Sequence, residues 1–238
     1  MYVKLTDKCN MRCAHCGMSA TNRGKDMDKK TFIAACKLSQ DRGSGIFLGG
    51  GEPTIHPEFW ELLGLALKYH SDLAEDFRVG VVTNGKKAED AIALARLAKT
   101  GIIMACLSQD QWHDPIDVRV VKAFTRAVPV DYTRTNDNDF REIRTVRPKN
   151  VIAVGRGRNI PYAREGCVCP ELIVNPYGEI RHCACTGAPH YGTVFGPCIP
   201  AEYGDCGSEC HKDKPACDAT APLGGEVELV GDLAEIEA

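Results

Sequence analysis

The chain has 238 residues, enough for one large domain or for one domain with a small appendage. Apolar residues make up 44% and charged residues 26%, a globular composition that excludes intrinsic disorder. With 29 Lys and Arg against 32 Asp and Glu, the formal net charge of −3 gives no reason to expect nucleic acid or a membrane surface as partner. Cysteine is the outlier, at 13 copies. The opening MYVKLTDKC lacks the basic and apolar regions of a signal peptide, and Arg96 and Lys99 interrupt the best apolar run, Ile92 to Leu107. These features predict a cytoplasmic, metal-binding protein rather than a disulfide scaffold.

Tyr2 to Leu5 reads as a first strand, followed by a loop carrying Cys9, Cys13 and Cys16. Short apolar runs at Ile46-Phe47-Leu48, Val79 to Val82, Ile102 to Leu107 and Val151 to Val154 predict strands buried on both faces. Helical spacing lies between them. Phe59, Leu62, Leu63, Ala66 and Leu67 follow Pro57, and Ala91, Leu94, Ala95 and Ala98 repeat the pattern. Val120, Val121, Phe124 and Val128 continue it behind Asp114-Pro115 as cap and first residue. Cys36, on an apolar helix face, and Cys106, inside a strand, read as plain buried thiols.

With a weak strand near Val128 to Thr133 the count is about six. The fold class is α/β, a partial (βα)6 open barrel over residues 1–160 rather than a closed eight-stranded one. After Arg158 the helical period stops, and Gly, Pro and Cys dominate to about Leu223. Residues 161–223 therefore read as a small cysteine-rich domain, too poor in large apolar side chains to be stable without metal. Residues 224–238 form an acidic tail, either frayed or docked as a short strand.

Cys9, Cys13 and Cys16 stand at C-x3-C-x2-C spacing. Thiolates are soft ligands suited to iron–sulfur clusters, which usually take four cysteines. Three together leave one iron open, and an open position separates catalytic from structural metal sites; the plain alternative is three incidental thiols. Gly49-Gly50-Gly51-Glu52-Pro53 follows the second strand. Its glycines let backbone approach a ligand, and a carbonyl or the Glu52 carboxylate can accept from an ammonium. Val82-Thr83-Asn84-Gly85 ends the third strand and Ser108-Gln109-Asp110 the fourth, at the edge where parallel strands usually present ligand contacts.

The cysteine motif resembles the signature of the radical S-adenosylmethionine (SAM) superfamily. The resemblance implies a [4Fe–4S] cluster on Cys9, Cys13 and Cys16, whose open iron holds the amino and carboxylate groups of SAM. Reductive cleavage then yields methionine and a 5′-deoxyadenosyl radical that abstracts a substrate hydrogen. It further implies that Gly50, Gly51 and Glu52 contact the methionine amino group. His15, where the family usually has another aromatic residue, packs flat on the adenine. Thr83 and Asn84 lie near SAM or form a purely structural turn. Ser108 bonds the SAM ribose or carboxylate, and Asp110, facing substrate, is the candidate catalytic group. His113 is a satisfied loop histidine or an acid–base group. Arg158, in Gly155-Arg156-Gly157-Arg158, falls near a Gly-Arg pair of the family and is assigned to cofactor binding. A reductase such as flavodoxin or ferredoxin is the implied electron donor.

Cys167-x10-Gly178-x4-Cys183, enclosing the turn Asn175-Pro176-Tyr177-Gly178, resembles the opening of a SPASM or twitch domain, and Gly192-Thr193-Val194 the segment after its hairpin. The resemblance implies one or two auxiliary [4Fe–4S] clusters on Cys167, Cys169, Cys183, Cys185, Cys198, Cys206, Cys210 and Cys217. The spacing after Cys198 departs from the full SPASM pattern, which leaves cluster number and ligands open. A zinc ribbon is the alternative; Cys206 and Cys210 fit one, whereas Cys167-Val168-Cys169 and Cys183-Ala184-Cys185 are too tight. Arg119 to Arg158 holds ten basic residues against four acidic ones, a net +6 that is a solvated face or draws in an acidic peptide, a phosphorylated substrate or the tail. The expected reaction is modification of a peptide or protein side chain by crosslinking, epimerisation or oxidation, as eight C-terminal cysteines favour. The alternative is a twitch-type dehydrogenase or epimerase on a sugar or aminocyclitol, favoured by a short chain with no peptide-binding domain before Cys9. A non-catalytic iron–sulfur or zinc module is the rival from another class.

Overall fold

Apolar runs buried on both faces, each followed by a helix with one apolar stripe, fold as successive βα units. The computed structural model describes residues 1–71, 79–126, 138–163, 172–183 and 188–200. In chain order these form β1 (Tyr2–Thr6), α1 (Lys29–Asp41), β2 (Ile46–Gly50), α2 (Phe59–His70), β3 (Val79–Thr83), α3 (Ala88–Lys99), β4 (Met104–Ser108), α4 (Val118–Phe124) and β5 (Arg141–Arg144). Four short strands follow: β6 (Ile173–Val174), β7 (Glu179–Arg181), β8 (His190–Thr193) and β9 (Gly196–Pro197).

All pair in one open sheet, ordered β5-β4-β3-β2-β1-β6-β7-β8-β9. Pairing is parallel from β5 to β6 and antiparallel from β6 to β9. This is the expected α/β partial barrel. Parallel register brings the ends of β1, β2, β3 and β4, with the motifs that follow them, to one edge. Val3, Leu5, Ile46, Leu48, Val79, Val81, Ala105 and Leu107 meet Phe32, Leu62, Leu63, Leu94 and Phe124 in the core. Cys36 and Cys106 are buried, which pushes each thiol up to about 12 and keeps both inert, as expected. No helix among the described residues is long and apolar enough to cross a membrane.

Three local expectations are corrected. Val151 to Val154 is no strand; it lies between 3₁₀ turns at Pro148–Asn150 and Gly155–Asn159, and the parallel place beside β1 goes to Ile173–Val174. Part of the basic stretch, Arg141–Arg144, is β5, an edge strand whose charged side chains hid it from hydrophobic patterning. The cap of α4 is Asp117, which accepts from Arg119 N–H at 2.8 Å, while Asp114 pairs with Lys86. The predicted strand near Val128 to Thr133 and the acidic tail lie outside the described residues. The turn at Asn175 to Gly178 forms as expected, with Asn175 Oδ1 accepting from the N–H groups of Tyr177 and Glu179 and Gly178 at φ +80°.

Asp28 caps α1, the helix that follows the cysteine loop, by accepting from Thr31 N–H at 2.8 Å and Thr31 Oγ1 at 2.9 Å. Burial opposes its charge, but the bonds from Thr31 outweigh burial and hold the carboxyl below its ordinary value. Asp28→Ala should cost about 1 kcal/mol near neutral pH. Because the folded value is depressed, the cap's contribution is present above the ordinary carboxylate range and lost as pH falls through the lowered value. Urea unfolding of both proteins across acid pH should show the gap between them closing.

Candidate functional site

The loop after β1 is held by its backbone and by one buried apolar side chain. Cys9 N–H donates to Thr21 O at 2.5 Å, Cys16 N–H to Cys13 O at 3.2 Å, and Met11 is buried beneath. Arg156 clamps the loop from the opposite side: Nε donates to Cys13 O at 3.0 Å, Nη1 to Ala20 O at 2.6 Å, and its own N–H to Cys16 O at 2.9 Å. Cys9, Cys13 and Cys16 are free, half-buried thiols. Burial pushes Cys9 up to about 11; a bond from Met11 N–H, which donates to Cys9 Sγ at 3.4 Å, pulls it down, and the charges of Glu52, Cys16 and Cys13 add to the rise. Such a thiol ionises when a soft metal group takes its proton's place. Three accessible soft donors on one clamped loop, one already receiving an N–H bond on its sulfur, fit an iron–sulfur cluster.

Glu52 ties the neighbouring strand ends to this loop. Its carboxylate is 1% exposed. Oε1 accepts from Thr54 N–H at 3.2 Å, Thr54 Oγ1 at 2.7 Å and Thr83 Oγ1 at 2.7 Å, and Oε2 accepts from Asn84 N–H at 2.7 Å. Burial pushes this carboxyl above the ordinary range, and the four donors pull it back toward the charged form. The side chain thus serves the protein's own loops rather than standing open to an ammonium. The glycines also let this segment approach the cysteine loop closely. A Cβ on Gly50, at φ +138°, would lie 2.3 Å from Thr6 O, and one on Gly51 would lie 2.1 Å from Lys8 O. Gly51 and Glu52 N–H donate to Thr6 O and Lys8 O at 2.8 and 2.9 Å, which sews this segment onto the cysteine loop.

Asn84, 7% exposed, reaches the cysteine loop directly, with Nδ2 at 2.9 Å from Asn10 Oδ1 and 3.6 Å from Cys9 Sγ. The loop after β4 covers the other flank. Asp110, with a side chain 2% exposed, accepts from the His113 ring at 2.8 Å and from the N–H groups of Trp112 and Val146 at 3.0 and 3.3 Å. The oxygen that accepts from Val146, Oδ2, is also 3.4 Å from His15 Nε2. The carboxylate of Asp110, the candidate catalytic group, is turned inward against two imidazoles. His15 does not present an isolated flat face; its ring stacks at a 37° tilt on Trp112 and edge-on to His113. Burial disfavours the charged form of His113, yet bonds to Asp110 and Cys13 outweigh it and raise this ring to about 9.

Ser108 ends β4 half-buried, and Thr83 is buried against Glu52. Arg158, expected at the cofactor, lies two positions beyond Arg156 in the same turn, and it is Arg156 that grips the cysteine loop. Thr54, Lys86 and Trp112 carry no motif that marks them in the sequence, and local spacing cannot rank the two pairs Gly155-Arg156 and Gly157-Arg158. Much of the basic stretch is paired internally, Arg119 with Asp117 and Glu89, and Arg141 with Asp139. Cys183 is buried beside Val154 and Ala188, and Cys198 is exposed. Cys167, Cys169, Cys185, Cys206, Cys210 and Cys217 lie outside the described residues.

Because all four partners of Glu52 are donors, an amide in its place must turn its own NH2 toward one of them. Glu52→Gln should destabilise the protein by about 1–3 kcal/mol, the cost of a buried donor left without an acceptor. Urea unfolding measures it, and an unchanged transition would show that the carboxylate is not the tie between these strand ends.

A mycofactocin maturase, MftC, of Mycobacterium ulcerans (strain Agy99) is 33% identical over 111 residues, 45% of this chain and 28% of the relative. The chain therefore spans little more than a quarter of that relative's length. Among solved structures, BtrN in complex with AdoMet and 2-DOIA matches with a TM-score of 0.55 at 14% identity, over 81% of this chain and 76% of that one. anSMEcpe with bound AdoMet and Kp18Cys peptide matches at 0.51 and 15% identity, over 82% and 77%. At these identities the two structures speak to the fold. Residues 3–159, which hold the cysteine loop, Glu52, Asn84 and Arg156, match the family model of the radical SAM superfamily, and the chain belongs to that superfamily.

Proposed function

We propose that this chain is a radical SAM enzyme that modifies a peptide or protein side chain. Membership of the superfamily implies SAM and a [4Fe–4S] cluster, and Cys9, Cys13 and Cys16 are the residues that would hold that cluster. When bound, the cluster supplies the electron that splits SAM into methionine and a 5′-deoxyadenosyl radical, which takes a hydrogen atom from the substrate. The observation that carries the reading is the clamped loop of three free thiols, held by Glu52 through Asn84 on one side and by Arg156 on the other. Asp110 ties His15 of this loop to His113, a positioning role beside the candidate catalytic one.

The peptide reading is supported by the fold shared with anSMEcpe, whose structure holds a peptide, across four-fifths of this chain. BtrN, whose structure holds 2-DOIA, shares the fold at the higher TM-score, and this favours a small-molecule substrate as the second reading. A reductase such as flavodoxin or ferredoxin is the partner either requires. Residues 161–223 are proposed as the auxiliary iron–sulfur domain. The turn at Asn175 to Gly178 and the burial of Cys183 support this.

Replacing Cys9, Cys13 and Cys16 together by Ala should remove one cluster's iron and abolish 5′-deoxyadenosine formation from SAM and dithionite under anaerobic conditions. Cleavage retained in that variant would end the radical SAM reading. The same variant should stay brown, because auxiliary clusters keep charge-transfer absorption that d¹⁰ zinc does not have. Adding Cys183→Ala should then take away much of the remaining iron. A colourless triple variant containing stoichiometric zinc would replace the auxiliary clusters with a zinc site.

A further inference from the structure

We propose that Asn84 is a positioning residue that tunes the reduction potential of the SAM-binding cluster by donating a side-chain N–H to the sulfur of Cys9. The proposal rests on the reading of Cys9 as a cluster ligand. Nothing in the spacing of the cysteines requires such a contact. It is made by a residue 75 positions away, from the end of a different strand.

The orientation of the amide follows from its partners. Asn84 Oδ1 accepts from Lys86 N–H at 2.9 Å, so the NH2 end must face the cysteine loop. One of its hydrogens goes to Asn10 Oδ1 at 2.9 Å, which leaves the other for Cys9 Sγ at 3.6 Å, within range for a sulfur acceptor. The backbone beneath it is pinned, since Asn84 N–H donates to Glu52 Oε2 at 2.7 Å, and Lys86 Nζ donates to Asn10 O at 3.0 Å. Met11 N–H already donates to the same sulfur. Cys9 Sγ therefore receives two N–H groups, one from its own loop and one from the residue that follows β3. Reduction adds one electron to the cluster and spreads negative charge onto the ligand sulfurs. Donors aimed at a ligand sulfur stabilise the reduced form and raise the potential.

The test is an EPR-monitored redox titration of the reconstituted protein. The relevant signal is identified as the one missing from the Cys9/Cys13/Cys16→Ala variant. Asn84→Ala should shift its midpoint to more negative potential. Asn84→Asp, which keeps the acceptor for Lys86 N–H but replaces the donor with charge, should shift it further. Asn10→Ala, which removes the other acceptor and leaves the donor to Cys9 in place, should not lower it. An unchanged midpoint in both Asn84 variants overturns the proposal. If those variants do not assemble the cluster, Asn10→Ala protein labelled with ¹⁵N in its asparagine side chains, which removes the other amide beside Cys9, decides. A ¹⁵N coupling to the reduced cluster supports the contact, and its absence overturns it. Survival of the signal in the triple cysteine variant would instead overturn the assignment of Cys9 as a ligand.

Discussion

The arrangement of the site depends on one buried carboxylate. Glu52 is enclosed, and each of its contacts is a donor supplied by Thr54, Thr83 or Asn84. Hydrogen bonds to a charged group are stronger than neutral ones, and a buried charge deprived of its donors is costly. The end of β3 is therefore held to the segment after β2, and that segment is joined to the cysteine loop by Gly51 and Glu52 N–H. Loops that follow three different strands become one rigid seat. A side chain at Gly51 would break the seat, since its Cβ would overlap Lys8 O.

The opposite side of the cysteine loop is held differently. Arg156 offers guanidinium and backbone donors to the carbonyls of Cys13, Ala20 and Cys16, adding to the bonds that the loop makes within itself. Asp110 organises the third flank by fixing His113 and approaching His15, with Trp112 stacked on the latter. The contacts of Arg156 all go to backbone carbonyls of the loop and leave the sulfurs untouched. The protein's own interactions position the loop and leave the sulfurs to a metal group, whose binding is then coupled to folding of the loop rather than required for its shape.

The sheet continues without a break from the parallel strands into the C-terminal hairpin. β6 pairs with β1 on the side away from β2, and β7, β8 and β9 extend it in antiparallel fashion. The strand that leads into the cysteine loop is thus flanked by the loop-bearing β2 and by the start of the cysteine-rich segment. That placement puts Cys183, two positions after β7, in a small buried cluster with Val154, the residue just before the Gly155–Asn159 turn that carries Arg156.

By itself the sequence determined the α/β class, four of the parallel strands, the helices with three- and four-residue apolar spacing, and the three cysteines. Each of these is written in local periodicity or in ligand spacing along a single segment. It did not reveal β5, because an edge strand of charged residues carries no apolar alternation, and it misplaced the strand beside β1, because two residues leave no period to read. The partners of Glu52 were also out of reach, since Thr83 and Asn84 stand 31 and 32 positions away and meet it only when β2 and β3 pair. The same holds for Arg156, 143 positions from Cys13, and for Asn84, 75 from Cys9. Which polar group meets which is decided by strand order and register, and these follow from how the whole core packs.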